Sequence, residues 1–245
     1  MTTGEWISVG SSVGAVSAAF IALFTLLELA RQRKSAYKPD LCVLKNRFNI
    51  TQGTIGKLVD LPMSLDWVPQ DSTLPDLAFR ASIQIVNVGF GVAKSVKAKW
   101  IFDADSMTEK INQMAQQTFQ TFYLVEENSF TSIKSKEKVI YSANNKMDCF
   151  EFEYLLPIGN QAKGHEVYLP PSYILLVSAY LFLCSQAELK FSEIKVPSIH
   201  LELTYCDIGK ELHSSKHRLE CNISFMSKGN EETPAQFGIE YIETA

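Results

Sequence analysis

The sequence predicts a mainly β protein, with one N-terminal transmembrane helix followed by an antiparallel β-sandwich that carries two inserted helices. Three observations lead there. No residue from Trp6 to Leu27 is charged, basic residues follow that run while none precede it, and period-two alternation dominates from residue 77 onward. The 245 residues are 46% apolar and 20% charged, with a net charge of −4, an ordinary globular composition.

The helix comes first. At 1.5 Å per residue, Trp6 to Leu27 spans roughly 33 Å, close to the ~30 Å hydrocarbon core of a bilayer. Its only polar side chains are Ser and Thr, whereas a core helix of that length would show a polar face. A cleaved signal peptide would carry positive charge before the apolar run and a small-residue cleavage site after it. Here Glu5 precedes the run, and E-L-A-R-Q-R-K follows it, so both flanks favour a retained anchor with its span at 6–29.

The same flanks predict orientation. Arg31, Arg33, Lys34 and Lys38 lie after the helix and are expected to contact the membrane surface. The positive-inside rule then puts the N-terminus outside and the remainder in the cytoplasm. This divides the chain into an anchor (1–30), a basic juxtamembrane linker (31–40) and a cytoplasmic sandwich (41–245). Trp6 and Tyr37 are spaced for the two interfaces, and Pro39 stops the helix.

Within the helix, Gly10, Gly14, Ala18 and Ala22 recur every four residues and share one face. Such a ribbon of small side chains lets a second backbone approach closely, which predicts a homo-oligomer formed through the membrane helix.

Beyond residue 40, alternation marks strands at 79–85, 96–100, 150–154, 199–205 and 219–225. Weaker candidates lie at 41–44, 122–125, 139–142 and 166–169. Wet outer faces point to antiparallel sheets rather than a doubly wound sheet. Trp100 shares the apolar phase of Val96 and Ala98 and is expected in the core. A helix at 105–118 has an apolar stripe at Met107, Ile111 and Met114, with Asp105 as its N-cap. Pro170 and Pro171 open a second helix at 172–187. The uncharged run 167–187 is too short for a span once the prolines are discounted, and is read as buried.

The stretch S-I-Q-I-V-N-V-G-F-G-V-A-K-S-V-K-A-K-W, with Asn87, Gly89 and Gly91 between two strands, resembles the N-x-G turn of immunoglobulin-like adhesion modules of the CARDB kind. The chain also resembles uncharacterised bacterial single-pass membrane proteins that carry such a sandwich after one N-terminal anchor. The resemblance is close over about 25 residues. It implies an immunoglobulin-like fold, a binding or scaffolding role at the inner membrane, and no catalytic residue.

Chemistry is sparse. Gly89-Phe90-Gly91 lacks the third glycine of a dinucleotide fingerprint, because Lys94 stands there. His213 and His217, with Cys206 and Asp207 upstream, fall in an expected hairpin loop without a metalloprotease pattern. The Asp103-Ala104-Asp105 pair is accounted for by capping, and Glu126-Glu127 reads as a solvated face. The five cysteines are odd in number and widely spaced, as reduced buried thiols would be. No basic stretch follows residue 47, so nucleic acid is not an expected partner. The expectation is therefore no catalytic, cofactor-binding or metal residue. The function expected is a non-enzymatic scaffold whose sandwich senses a cytoplasmic protein or small ligand. The alternative is an oligomerising, membrane-perturbing effector of a bacterial anti-phage defence system.

Overall fold

A computed structural model describes residues 3–51, 67–69, 81–127, 129–136, 138–144, 149–159, 164–187, 189–227 and 236–244. The first helix, α1, runs Thr3–Ala36. It continues through the basic run, so Arg31, Arg33 and Lys34 are helical rather than part of a linker. Arg33 and Lys34 lie in its last turn, where cations favour the helix dipole. The apolar window Val13–Lys34 is wholly unburied. Among the described residues, α1 is the one helix long and apolar enough to cross a membrane, by length and composition.

The rest is mainly β. In chain order come β1 (Leu41–Val43), β2 (Asn46–Thr51), β3 (Trp67–Pro69), β4 (Ser82–Asn87) and β5 (Ala93–Ile101). After helix α2 (Ala104–Gln117) follow β6 (Phe122–Glu127), β7 (Phe130–Ser135), β8 (Lys138–Asn144), β9 (Cys149–Leu155) and β10 (His165–Tyr168). Helix α3 (Pro171–Gln186) leads to β11 (Ile199–Cys206), β12 (Leu212–Ser227) and β13 (Gln236–Thr244). These strands build a seven-stranded sheet, β3-β2-β13-β12-β11-β5-β9, and two three-stranded sheets, β1-β4-β10 and β6-β7-β8. Every pairing between these strands is antiparallel.

Register explains the core. Trp100 pairs with Leu201, and Ala98 with Leu203, so one face carries Val96, Ala98, Trp100, Leu201 and Leu203, all buried. Lys97 and Lys99 take the opposite face and are exposed. The β1-β4-β10 sheet lies against one part of the inner face: Trp100 Nε1 donates to the Tyr168 carbonyl at 2.8 Å, and Phe150 and Phe152 meet Tyr168 and His165. Helix α3 covers another part. Tyr173 packs on Tyr241, Trp67 Nε1 donates to Ser178 Oγ at 3.1 Å, and on α3's other side Phe182 meets Phe122 of the β6-β7-β8 sheet.

The 167–187 run is buried as expected, a short strand end followed by a helix enclosed by protein on several sides. Several other expectations change. The α2 N-cap is Asp103, which accepts from Ser106 N at 3.0 Å; Asp105 sits in the first turn. Strands at 122–125 and 139–142 join β7 in a sheet of their own rather than extending either of the other two. Residues 79 and 80 of the expected strand at 79–85 lie outside the described residues. All five cysteines are free thiols, but Cys149 is exposed. Glu126 is half-buried, and desolvation raises its carboxyl above the ordinary range.

Candidate functional site: the clamp at the exit of the first helix

Residues 37–40, where the chain leaves α1, lie against the turn between β4 and β5. That turn is not a hairpin, because its two strands belong to different sheets. Its organising residue is Asn87, buried at the end of β4. The Asn87 Oδ1 accepts from Asp40 N and Gly89 N, each at 3.1 Å, and its Nδ2 donates to the carbonyls of Gly91 (2.7 Å) and Leu155 (3.1 Å). Two donors and two acceptor positions are thus all used, the full capacity of a side-chain amide. Val88 N adds a bond to Asp40 O at 2.8 Å.

The glycines are required by close approach. A Cβ on Gly91 would stand 1.7 Å from the Tyr37 carbonyl oxygen, and one on Gly89 2.4 Å from that of Lys38. The N-x-G-x-G sequence therefore serves as a cradle for the backbone that follows α1. Tyr205, from β11, donates through its hydroxyl to Pro39 O at 3.4 Å.

A second arm comes from the β11–β12 turn. Lys34 Nζ reaches Glu211 at 2.8 Å. Asp207 braces that turn: its Oδ1 accepts from Glu211 N at 2.8 Å, and its Oδ2 lies 3.1 Å from His213 Nε2. His213 in turn stacks on Tyr205. The Glu211 amide, and next the His213 side chain, hold the Asp207 carboxyl below its usual range. Lys34, Glu211, Asp207, His213, Tyr205 and Pro39 thereby close a ring of contacts around the exit of α1.

His213 and His217 are not in a loop. Both lie on β12, and His217 is only 6% exposed. They share the inward phase with Ser215, Leu219 and Cys221, opposite Tyr205, Leu203, Leu201 and Ile199. Ser215 Oγ is 2.9 Å from His217 Nε2, and His217 Nδ1 is 2.5 Å from Glu243 Oε1. Hydroxyl, imidazole and carboxylate in that order can pass a proton, as acyl-transfer sites do. Here Glu243 also accepts from Val43 N at 3.4 Å, tying β13 to β1.

Asp207, Glu211 and His213 offer ligand atoms within 4.8 Å of one another, a set that could hold a metal ion. Those atoms are already engaged with one another and with Lys34, so an ion would have to displace that pairing. A separate cavity of about 520 Å³ opens at the other ends of β5 and β11, among Phe102, Asp103, Met107, Lys110 and His200. The Nδ1 of His200 is buried there without a hydrogen-bond partner. Burial, then Lys216 and Arg218, lower the pKa of that imidazole.

Of the residues singled out in the sequence, Gly10, Gly14, Ala18 and Ala22 all lie on α1, and the last three are exposed. Arg31, Arg33 and Lys38 are exposed too, while Lys34 is an arm of the clamp. Tyr205, Asp207, Glu211, Ser215 and Glu243 were not legible as a group. Ser215 and Glu243 are polar residues in the inward phase of β12 and β13, Tyr205 lies near the end of β11, and Asp207 and Glu211 lie in the turn after it, so no local pattern groups them. Compared with known proteins, the chain matches no family model, no curated protein and no solved structure.

Proposed function

We propose that the protein is a membrane-anchored, non-enzymatic binding module. In this reading α1 spans a bacterial inner membrane with its N-terminus outside, and the cytoplasmic domain, an immunoglobulin-like sandwich, senses a protein partner or a small ligand. The observation that carries the proposal is the ring of contacts joining the end of α1 to both β turns. A ligand that binds one arrangement of the sheets better than another shifts the population of that arrangement. The clamp then hands the change to α1. The cavity around His200 and Lys110 has a size suited to a small ligand.

The test is cross-linking through α1 in membranes, using a cysteine at Ala18, in the wild type and in Gly91→Ala. Loss of the clamp is expected to change the cross-linking yield while insertion is unaffected. Equal yields would defeat the coupling. Alkaline phosphatase activity from a C-terminal fusion would defeat the orientation, and fluorophosphonate labelling of Ser215 would defeat the non-enzymatic reading.

The exposed small-residue face favours a second reading, an oligomerising membrane-perturbing effector of anti-phage defence. Nothing lies within 4 Å of a Cβ built on Gly14. Helices in lipid associate by such close packing. Gly14→Ile is then expected to abolish both the oligomer and any loss of membrane potential on overexpression. Wild-type values for both would remove this reading.

A further inference from the structure

Exposed apolar side chains gather at the exit of α1. Phe90, between the two cradle glycines, is 80% exposed, and Leu212, beside the Lys34–Glu211 pair, is 73% exposed. Ile208 in the β11–β12 turn, Leu156 and Ile158 after β9, and Tyr37 itself are also exposed. They come from four separate segments, each tied to the same place. Ile158 N donates to Asn87 O at 2.7 Å, and Pro157 bridges to Asn87. Turn tips are normally polar, since their backbone faces water. Large apolar residues at three neighbouring tips call for a cover.

We infer that these tips, Phe90, Leu156, Ile158, Ile208 and Leu212, enter the headgroup layer of the bilayer, so that the domain sits on the lipid surface in a fixed pose. The inference rests on α1 being a membrane span. Two observations choose lipid over a protein partner. The first is continuity: the uncharged run of α1 ends at Leu27, and Lys34, seven residues or ~10 Å further along the same helix, touches the β11–β12 turn at 2.8 Å. At no more than ~3.6 Å per residue, the chain from 37 to 40 cannot carry the tips far from the membrane boundary. The second is charge. Arg31, Arg33 and Lys38 are exposed along the end of α1 and its exit, and Lys210 in the β11–β12 turn, against the exposed carboxylates of Glu28, Asp40 and Glu211, the last already held by Lys34. Apolar side chains with cations in the same segments suit the boundary between acyl chains and anionic headgroups. The clamp then acquires a purpose, since a domain fixed in contact with lipid can feel the tilt of α1.

The test uses the full chain in phosphatidylcholine–phosphatidylglycerol vesicles whose acyl chains are brominated near the headgroup. Trp emission is read as the difference from wild type for Phe90→Trp and Leu212→Trp, with Leu23→Trp reporting the span. Phe119→Trp is the comparison position: Phe119 is 93% exposed at the end of α2, in the part of the domain built with β6. The expected result is a blue shift and quenching for positions 90, 212 and 23, and neither for position 119. Quenching at 23 with positions 90 and 212 behaving like 119 would overturn the inference and leave the anchor standing. No quenching at 23 would overturn both. Quenching at 119 equal to that at 90 would mean the whole domain lies on lipid, which overturns the specific pose.

Discussion

Two helices in this chain are apolar on every side, and they end in opposite surroundings. Helix α3 is buried almost end to end, with Tyr173, Ile174, Leu175, Leu176 and Leu183 fully enclosed by sheet, helix and loop. Helix α1 is exposed over the whole of its apolar window. An apolar surface must be covered by something, and the fold supplies a cover only for α3. The sixteen residues of α3 suit the width of a protein core, whereas the thirty-four of α1 exceed it. All-round apolarity therefore says that a helix is enclosed, while length and flanks say by what.

The largest expected effect sharpens that contrast. Leu176→Ala leaves a cavity in a packed core and is expected to cost about 2–5 kcal/mol in denaturant unfolding of the full-length protein, read by the buried tryptophans. Leu23→Ala, on α1, should leave that transition where it is. Equal losses from both would mean that α1 is packed against protein after all.

Next comes the joint between α1 and the domain. Asn87→Ala strips partners from Asp40 N and from the Gly91 and Leu155 carbonyls. An unpaired buried group costs about 1–3 kcal/mol, so a loss in that range is expected, together with faster hydrogen exchange at the Asp40 and Val88 amides. Unchanged exchange there would show that the clamp holds without its hub.

A smaller effect follows pH. Asp207 has a depressed folded-state pKa, so its contribution is fully present above the unfolded value of ~3.9 and is lost as pH falls through the lower folded value. The stability gap between wild type and Asp207→Asn should therefore be constant at neutral pH and close only in strong acid. A gap that closes near pH 6 would point to a different group. Smallest of all is Lys34→Ala. Both partners of the Lys34–Glu211 pair are largely exposed, and such pairs contribute ~0–1 kcal/mol, so unfolding should barely move.

How far the sequence reaches can be judged residue by residue. The inward placement of Trp100, Val96 and Ala98 was legible, because one face of that strand is apolar and the other carries lysines. The place of His213 and His217 was not. Their strand keeps its inward phase but fills it with His, Ser and His, and local alternation cannot tell a buried polar ladder from a loop. The glycines at 89 and 91 announced a tight turn. Their cause, the Tyr37 and Lys38 carbonyls, lies some fifty residues away along the chain.

By itself, then, the sequence determined the features that depend on near neighbours: a long apolar helix with a basic end, strands of period two, and prolines opening a second apolar helix too short to span. Only the tertiary structure decided that β6, β7 and β8 form a sheet of their own. It also decided that Asn87, Tyr205, Asp207 and Glu211 meet around residues 34–40. The physical reason is range. Helix and strand signals are set by groups a few residues apart, whereas the clamp is made by hydrogen bonds between groups 47, 68 and 166 positions apart in the chain. Such pairings depend on how the whole chain closes on itself.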